Sequence, residues 1–170
     1  MRGPDGVVLQ IAVSSGGGVP KRPVREAVVT AEGLAGDSWR HPQFHGGPKR
    51  ALLLITAEGI DEVTAQGFPL FYGALGENIT AWGLDRRALR LGQRLQIGEI
   101  VIELRQLRIP CSTLDVYGAG IQAALYDKRT QVGDVSSPRW GLSGFYASVA
   151  TEGTVRTGDP IAIVGPASLG

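Results

Sequence analysis

Glycine and proline recur along the whole chain and divide it into short stretches. Of its 170 residues, 25 are glycine and 10 are proline, and they are spread through the sequence instead of forming one low-complexity tract. Such a distribution is typical of many tight turns between short strands. The chain is therefore expected to fold mostly as β-structure.

Apolar runs of strand length lie between these turn residues. Two other segments, 57–66 and 119–128, carry apolar residues at helical spacing, and Thr56 and Gly67 are suited to start and stop the first of them. The predicted strands cover residues 7–13, 24–30, 51–56, 79–80, 89–97, 100–107, 145–150 and 161–164. We predict a single domain over residues 1–170, its core at about 7–164, built as a closed β-barrel with two or three short helices inserted.

The charge balance of the chain argues against several classes of partner. The formal net charge is +1, so no overall field attracts nucleic acid or anionic lipid. No apolar run approaches the roughly 20 residues that span a bilayer. The N-terminal residues lack the apolar segment of a secretory signal, and this absence together with a single cysteine favours the cytoplasm. We expect neither nucleic-acid nor membrane binding.

Four arginines lie close together in one segment, but no aromatic residues alternate with them as they do in single-strand nucleic-acid sites. A solvated strand face is therefore the expected location of this basic patch. Its members are Arg86, Arg87, Arg90 and Arg94.

Cys111 is the only thiol of the chain, so no disulfide can form within the molecule. It follows a predicted strand, with two arginines upstream, a proline immediately before it and two hydroxyl residues after it. A thiolate is a strong nucleophile and a soft metal ligand, but a free cysteine is also often a small buried apolar residue. The local sequence leaves both interpretations open with about equal weight.

Three other segments place polar residues among glycines. In 31–49 no strand or helix period holds, and such a long irregular stretch is typically a functional loop. His45 there either binds a ligand or only bonds to the backbone of a turn. Asn78 either orients a polar ligand or caps a turn. Arg139, which precedes a glycine-flanked aromatic pair, either binds phosphate or decorates the start of a strand.

Several common catalytic sites lack the residues that they need. A zinc site requires several ligands, and only His41, His45 and Cys111 are plausible ones. The two histidines have the i, i+4 spacing of a helix, but Pro42 and the surrounding glycines indicate a loop. The chain has no Gly-x-x-x-x-Gly-Lys-Ser/Thr phosphate loop, no Gly-x-Gly-x-x-Gly between a strand and a helix, and no Gly-x-Ser-x-Gly elbow.

Taken together and in this order, five segments make the chain resemble the MOSC domain, the family named for the C-terminal domain of molybdenum cofactor sulfurase. The resemblance extends over residues 24–164 and is closest to the small stand-alone bacterial members. Its segments are Gly33-Leu34-Ala35-Gly36-Asp37, His45-Gly46-Gly47-Pro48, Gly76-Glu77-Asn78-Ile79-Thr80, Arg108-Ile109-Pro110-Cys111 and Gly144-Phe145-Tyr146, the last with Val149, Glu152-Gly153 and Gly158-Asp159.

The resemblance implies a β-barrel with a cleft that presents the cysteine. Some members of the family bind the molybdenum cofactor, use the cysteine thiolate as a ligand to molybdenum, and reduce N-hydroxylated compounds with electrons from a partner protein. Others are described as sulfur carriers in which the cysteine holds a persulfide. The family is also associated with pyridoxal phosphate.

Carried onto this sequence, the resemblance makes Cys111 the ligand to molybdenum or the sulfur carrier. Arginine suits the pterin phosphate because its guanidinium group binds phosphate in a bidentate manner. Histidine and amide side chains would fix the pterin or the substrate by hydrogen bonds. The cofactor-binding residues that the resemblance implies are Arg50, Arg108, Lys49, His45, Asn78 and Arg139.

The chain departs from the family at three positions. Lys49 stands where relatives often have aspartate, and Leu142 and Ser148 stand where they often have arginine. Arg139 is the candidate substitute for these missing cations. Since the chain has no set of cysteines for an iron–sulfur cluster, electrons would have to come from another protein.

Three functions are therefore open. The first, favoured by the resemblance, is a molybdenum-cofactor-dependent oxidoreductase that acts on small N-hydroxylated bases or amines with an electron-donor protein. The second is a sulfur-transfer protein that receives a persulfide on Cys111 from a cysteine desulfurase. The third is a non-catalytic module whose cleft binds an anionic ligand.

Overall fold

The computed structural model describes residues 3–38 and 47–166, and within them the chain forms eleven strands and three short helices. No helix in these ranges is long and apolar enough to cross a bilayer. The strands are β1 (Gly6–Val13), β2 (Arg22–Val24), β3 (Glu26–Thr30), β4 (Gly33–Leu34), β5 (Leu52–Thr56), β6 (Ile79–Trp82), β7 (Gln93–Ile97), β8 (Ile100–Leu107), β9 (Phe145–Thr151), β10 (Gly153–Arg156) and β11 (Pro160–Pro166). The helices are α1 (Ala57–Thr64), α2 (Ile121–Leu125) and α3 (Lys128–Gln131).

Seven of these strands form a closed barrel in the order β11-β7-β8-β9-β5-β6-β1, which closes because β1 also pairs with β11. Strand β2 extends β1, and a separate small sheet has the order β10-β3-β4. Neighbouring strands are antiparallel except β5 and β6, which are parallel and are joined by a connection containing α1. The structure therefore confirms the predicted barrel with short helices inserted.

Strand β5 is buried on both faces, which explains its unbroken apolar sequence. Leu52 and Leu54 point into the barrel and belong to the interior core. Leu53 and Ile55 point the other way, into a second apolar cluster that also contains residues of α1 and α2. This outer cluster packs the helices against the barrel and supports one wall of the cleft described below.

Helix α1 confirms its prediction at the N-terminal end. It begins after Thr56, whose Oγ1 accepts a hydrogen bond from the Gly59 N–H at 3.1 Å. The second predicted helix, over 119–128, is wrong in extent. Tyr126 has an extended backbone with φ of −156°, which ends α2, and the Asp127 carboxylate caps the separate helix α3.

The expectation of a solvated strand face for the four arginines is wrong for Arg86. Its side chain is buried and lies in a turn, where it pairs with Glu62 at 2.9 Å and donates to the carbonyl oxygens of Pro138 and Trp140. The pairing compensates the buried charge. Of the four arginines, Arg94 is the one that lies on a strand, in β7.

Candidate functional site

One cleft gathers several segments of the chain. Loops that follow β1, β4 and β8 line it, together with the loop before β6, the first residues of β5 and the start of β9. The cleft encloses about 690 Å³, its open mouth included. Four of the residues singled out from the sequence line it, namely Cys111, Arg50, Arg108 and Asn78.

Cys111 lies just beyond the end of β8 and precedes a 3₁₀ turn, Ser112–Tyr117. Its carbonyl oxygen accepts a hydrogen bond from the Leu114 N–H at 3.1 Å, and the fully buried Leu114 side chain anchors the turn in the outer apolar cluster. The cysteine itself is half-buried and belongs to neither apolar cluster. Its sulfur is thus presented to the cleft and is not part of the core packing.

Arg108 connects three segments around the cleft. Its Nη2 donates to the Leu75 carbonyl oxygen at 2.8 Å and its Nη1 to the Ser143 carbonyl oxygen at 3.4 Å. Its backbone N–H donates to the Gly144 carbonyl oxygen at 2.9 Å. The two side-chain bonds occupy two of the five N–H donors of a guanidinium group, so Arg108 offers the remaining donors and a positive charge to a ligand.

Arg50 ends the 3₁₀ turn Pro48–Arg50 that precedes β5. Its Nε donates to Gln106 Oε1 at 3.3 Å, and its guanidinium carbon lies 5.7 Å from the centre of the Tyr146 ring. An aromatic face attracts a cation in this position. Arg50 is therefore held beside a flat aromatic side chain that also lines the cleft.

A buried ion pair lies next to the cleft. Lys21, in the loop that follows β1, places Nζ 2.5 Å from Oδ1 and 2.7 Å from Oδ2 of Asp37. The same carboxylate accepts a hydrogen bond from the Ser14 N–H at 2.9 Å and from Asn78 Nδ2 at 2.8 Å. Lys21 lines the cleft, and Asp37 lies behind it.

Asn78 is engaged with the protein at both ends of its amide. Its Oδ1 accepts from the Leu53 N–H at 2.9 Å, and its Nδ2 donates to the Ala12 carbonyl oxygen at 3.2 Å as well as to Asp37. Both donors of the amide are therefore used. Asn78 positions Asp37 and joins β1 to β5, so its contribution to the cleft is structural.

Glu77 lies behind the cleft and is fully buried. Its Oε2 accepts hydrogen bonds from the Gly73 N–H at 2.9 Å and from Thr80 Oγ1 at 3.2 Å. Burial raises the pKa of this carboxyl above its ordinary value, although these bonds and the positive charge of Arg108 act in the opposite direction. Burial, followed by the charge of Glu77, also raises the pKa of the Tyr117 phenol.

The described lining of the cleft is positively charged. It contains Arg50 and Arg108 together with Lys21, whose charge is paired with the Asp37 carboxylate behind the lining, and it contains no carboxylate itself. A concave surface of one charge sign concentrates ligands of the opposite sign. The arrangement therefore suits an anionic ligand placed next to a thiol.

The sequence profile of the MOSC domain matches residues 41–162. This chain belongs to the MOSC domain family. The matched range runs from before β5 into β11 and includes both Arg108 and Cys111, so the family membership that the order of the motifs implied is confirmed.

Other MOSC proteins resemble the chain over most of its length. YflK of Bacillus subtilis is 32% identical over 145 residues, which are 83% of this chain and 60% of that protein. YiiM of Escherichia coli is 31% identical over 144 residues, 82% of this chain and 59% of that protein. The crystal structure of Escherichia coli YiiM matches with a TM-score of 0.69 at 25% identity, covering 97% of this chain and 72% of that one. The chain thus spans about three fifths of the length of these two curated relatives.

Three of the residues implied by the MOSC resemblance are not among the described residues that line the cleft. Lys49 is exposed in the turn before β5. Arg139 places Nη1 3.8 Å from Asp127, at the start of α3. His45 lies outside the described residues. The cations that the structure brings to the cleft are therefore Arg50 and Arg108 together with Lys21.

Sequence reasoning missed the ion pair between Lys21 and Asp37. Asp37 closes the first of the MOSC-like segments, so its position in that motif was a usable signal. No sequence signal pointed to Lys21, because it lies 16 positions before Asp37 in a loop with no recognisable pattern. Only the folded chain brings the two side chains together.

Proposed function

We propose that this MOSC protein binds the molybdenum cofactor in the cleft and acts as an oxidoreductase on small N-hydroxylated compounds. The observation that carries the proposal is the convergence of the chain's one thiol with Lys21, Arg50 and Arg108 in a lining whose described part holds no carboxylate. An anionic, phosphorylated cofactor with a sulfur-seeking metal requires this combination of a soft donor and cations.

The donor set fits such a group without further assumptions. Cys111 would ligate the metal through its thiolate, and Arg50 and Arg108 would hold the phosphate. Apolar side chains of the lining, among them Leu53 and Leu75, would exclude water from the rest of the ligand. When bound, the molybdenum centre would supply the redox chemistry.

The proposed reduction of N-hydroxylated compounds also requires a source of electrons. Cleavage of an N–O bond in a hydroxylated amine gives the amine and water and consumes two electrons and two protons. The chain has one cysteine and therefore no cysteine set for an iron–sulfur cluster. We propose that an electron-donor protein supplies the electrons and that the reducing cytoplasm, where a lone thiol stays unpaired, is the location.

Metal analysis tests the proposal directly. Wild-type protein and the variants Cys111→Ala and Arg50→Ala are purified from a host that makes the cofactor, and molybdenum per chain is measured. We expect molybdenum in the wild type and its loss in both variants, whereas Arg139→Ala, whose side chain faces Asp127, retains it. Equally low molybdenum in wild type and Cys111→Ala contradicts the proposal.

The sulfur-carrier function makes a different prediction for the same thiol. After incubation with a cysteine desulfurase and cysteine, a carrier would gain the mass of one sulfur atom on Cys111, detectable by intact mass spectrometry. A persulfide adduct on protein that binds no molybdenum would replace the oxidoreductase proposal by this one. If Cys111→Ser and wild type bind pterin phosphates equally well and neither other property is found, the cleft is a non-catalytic binding module.

A further inference from the structure

Glu77 is a buried acid that the proposed function does not use. One of its oxygens, Oε2, accepts two hydrogen bonds, from the Gly73 N–H and the Thr80 hydroxyl. The other oxygen, Oε1, is buried and has no hydrogen-bond partner in the described part of the chain. A carboxylate oxygen without a donor is a poor place for a buried negative charge, whereas a protonated carboxyl leaves less charge uncompensated.

Among the described residues, Arg108 and Tyr117 are the titratable side chains that interact electrostatically with Glu77. Arg108 acts on it electrostatically, and the two hydrogen bonds that its guanidinium group donates within the described chain go to carbonyl oxygens and not to the carboxyl group. Tyr117 faces it from the 3₁₀ turn and donates its own hydroxyl to the Ala74 carbonyl oxygen at 2.5 Å. Arg108 is therefore the one cation among the described residues that favours the ionised form of Glu77.

Arg108 also lines the cleft, so its positive charge can interact with a bound ligand as well as with Glu77. A negative ligand beside Arg108 would offset the positive charge that favours ionised Glu77, and it would repel the carboxylate. Both effects act through a buried, weakly screened region. The ionised forms of the ligand and of Glu77 thus compete for the same guanidinium group.

We propose that binding of an anion in the cleft is coupled to the uptake of one proton by Glu77. The proton comes from solvent and forms an O–H bond on the carboxyl group, and no electron is transferred. The inference rests on the proposed function in that it requires an anionic ligand beside Arg108. Glu77 is then a specificity-determining residue, because it sets the net charge that the cleft accepts.

The same carboxyl group is also linked, through Gly73, to the loop that carries Lys21. The Gly73 N–H donates to Glu77, and the Gly73 carbonyl oxygen accepts from the Lys21 N–H at 2.9 Å. A Cβ atom at Gly73 would lie 2.6 Å from the Lys21 carbonyl oxygen, so this contact is tight. Glu77 therefore helps to position the loop that carries Lys21, by way of Gly73.

Calorimetric titration with sulfate tests the coupling, since the charge of sulfate is constant from mildly acidic to alkaline pH. Titrations in buffers of different ionisation enthalpy give the number of protons taken up per anion, and protection of Cys111 from iodoacetamide places the sulfate in the cleft. We expect wild-type protein to take up protons when it binds sulfate. Its affinity for sulfate should fall as pH rises, by at most about tenfold per pH unit. Glu77→Gln should take up fewer protons and show a flatter pH profile.

A matched variant keeps the carboxyl and changes only its environment. Thr80→Val removes a hydrogen bond that favours ionised Glu77, so the pH midpoint of sulfate affinity should move upward. If Glu77→Gln does not fold, the shift of this midpoint in Thr80→Val tests the coupling between anion binding and proton uptake. Equal proton uptake by wild type and Glu77→Gln, or an unmoved midpoint in Thr80→Val, overturns the coupling alone. Absence of sulfate binding at every pH overturns both the coupling and the anion-binding part of the proposed function.

Discussion

Lys21 and Asp37 form an ion pair in which both side chains are more than nine-tenths buried and Nζ lies 2.5 Å from Oδ1. The pair connects the loop after β1 with the residues that follow β4. Asn78 adds a hydrogen bond to the same carboxylate at 2.8 Å. Because each charge is removed from water, either one alone would be left uncompensated in the protein.

Loss of the Asp37 charge should therefore be costly. We expect Asp37→Asn to lower the free energy of unfolding by about 3 kcal/mol, because the buried ammonium group of Lys21 loses its counter-charge. Urea denaturation measures the change. The control is Glu26→Gln, which breaks an exposed ion pair with Arg156 and should cost at most about 1 kcal/mol. Similar losses in the two variants would contradict the importance of burial.

Cys111 should matter for function and little for stability. Its side chain is half-buried and lies outside both apolar clusters, so Cys111→Ser should change the free energy of unfolding by less than about 1 kcal/mol. The neighbouring control, Leu114→Ala, empties a fully buried position and should cost about 2–5 kcal/mol. A large loss in Cys111→Ser would mean that the thiol is a packing residue, and thermal and urea unfolding distinguish the two cases.

Gly144 occupies a position that admits no side chain. Its φ is +100°, and a Cβ atom there would lie 2.6 Å from Ile55 Cγ1 and 3.0 Å from the Leu54 carbonyl oxygen. We expect Gly144→Ala to cost about 3 kcal/mol or more, from backbone strain together with overpacking.

Gly133 provides the matched control for this substitution. It has a similar φ of +85°, but an added Cβ would meet no atom within 4 Å. Gly133→Ala should therefore cost only the strain of the left-handed backbone, about 1 kcal/mol. Equal costs in denaturant unfolding would show that the contact of Gly144 with β5 contributes nothing.

Glu77 should make stability depend on pH. Burial raises the pKa of Glu77 in the folded protein above its ordinary value of 4.5. Between that value and the raised pKa, the folded state holds a proton that the unfolded state has released, so stability falls as pH rises through this window. The slope is at most about 1.4 kcal/mol per pH unit.

The Gln variant isolates this contribution. The free energy of unfolding of wild type minus that of Glu77→Gln should decrease as pH rises above 4.5 and level off above the raised pKa. Both histidines are present in each protein, so their titration cancels in the difference. A difference that is constant with pH, or one that grows with pH, would contradict the raised pKa.

Secondary-structure elements with a regular local pattern were predicted well from the sequence. Strand β8 has the predicted bounds, Ile100–Leu107, because side chains alternate between its two faces and the repeat is visible in neighbouring residues. The predicted helix over 119–128 failed because apolar spacing does not report the extended backbone of Tyr126. The predicted strand 24–30 is divided between β2 and β3, which pair with different partners.

Charged residues were predicted less well, since their environment comes from distant parts of the chain. Arg86 was expected in solvent, yet its side chain bonds to Glu62 and to carbonyl oxygens more than 50 positions away. Lys21 lies in none of the sequence motifs that pointed to the cleft. Arg139 belongs to a MOSC-like neighbourhood in sequence but faces Asp127 in space.

The sequence by itself determined the family, the strand-rich barrel and the identity of the single thiol, because these follow from residue order, local alternation and composition. Only the tertiary structure decided which charges surround that thiol. It brought Lys21 against Asp37 and placed Glu77 behind Arg108, out of contact with solvent. These relationships depend on loops from different strands meeting in the folded chain, and no local pattern records which polar groups will be buried together there.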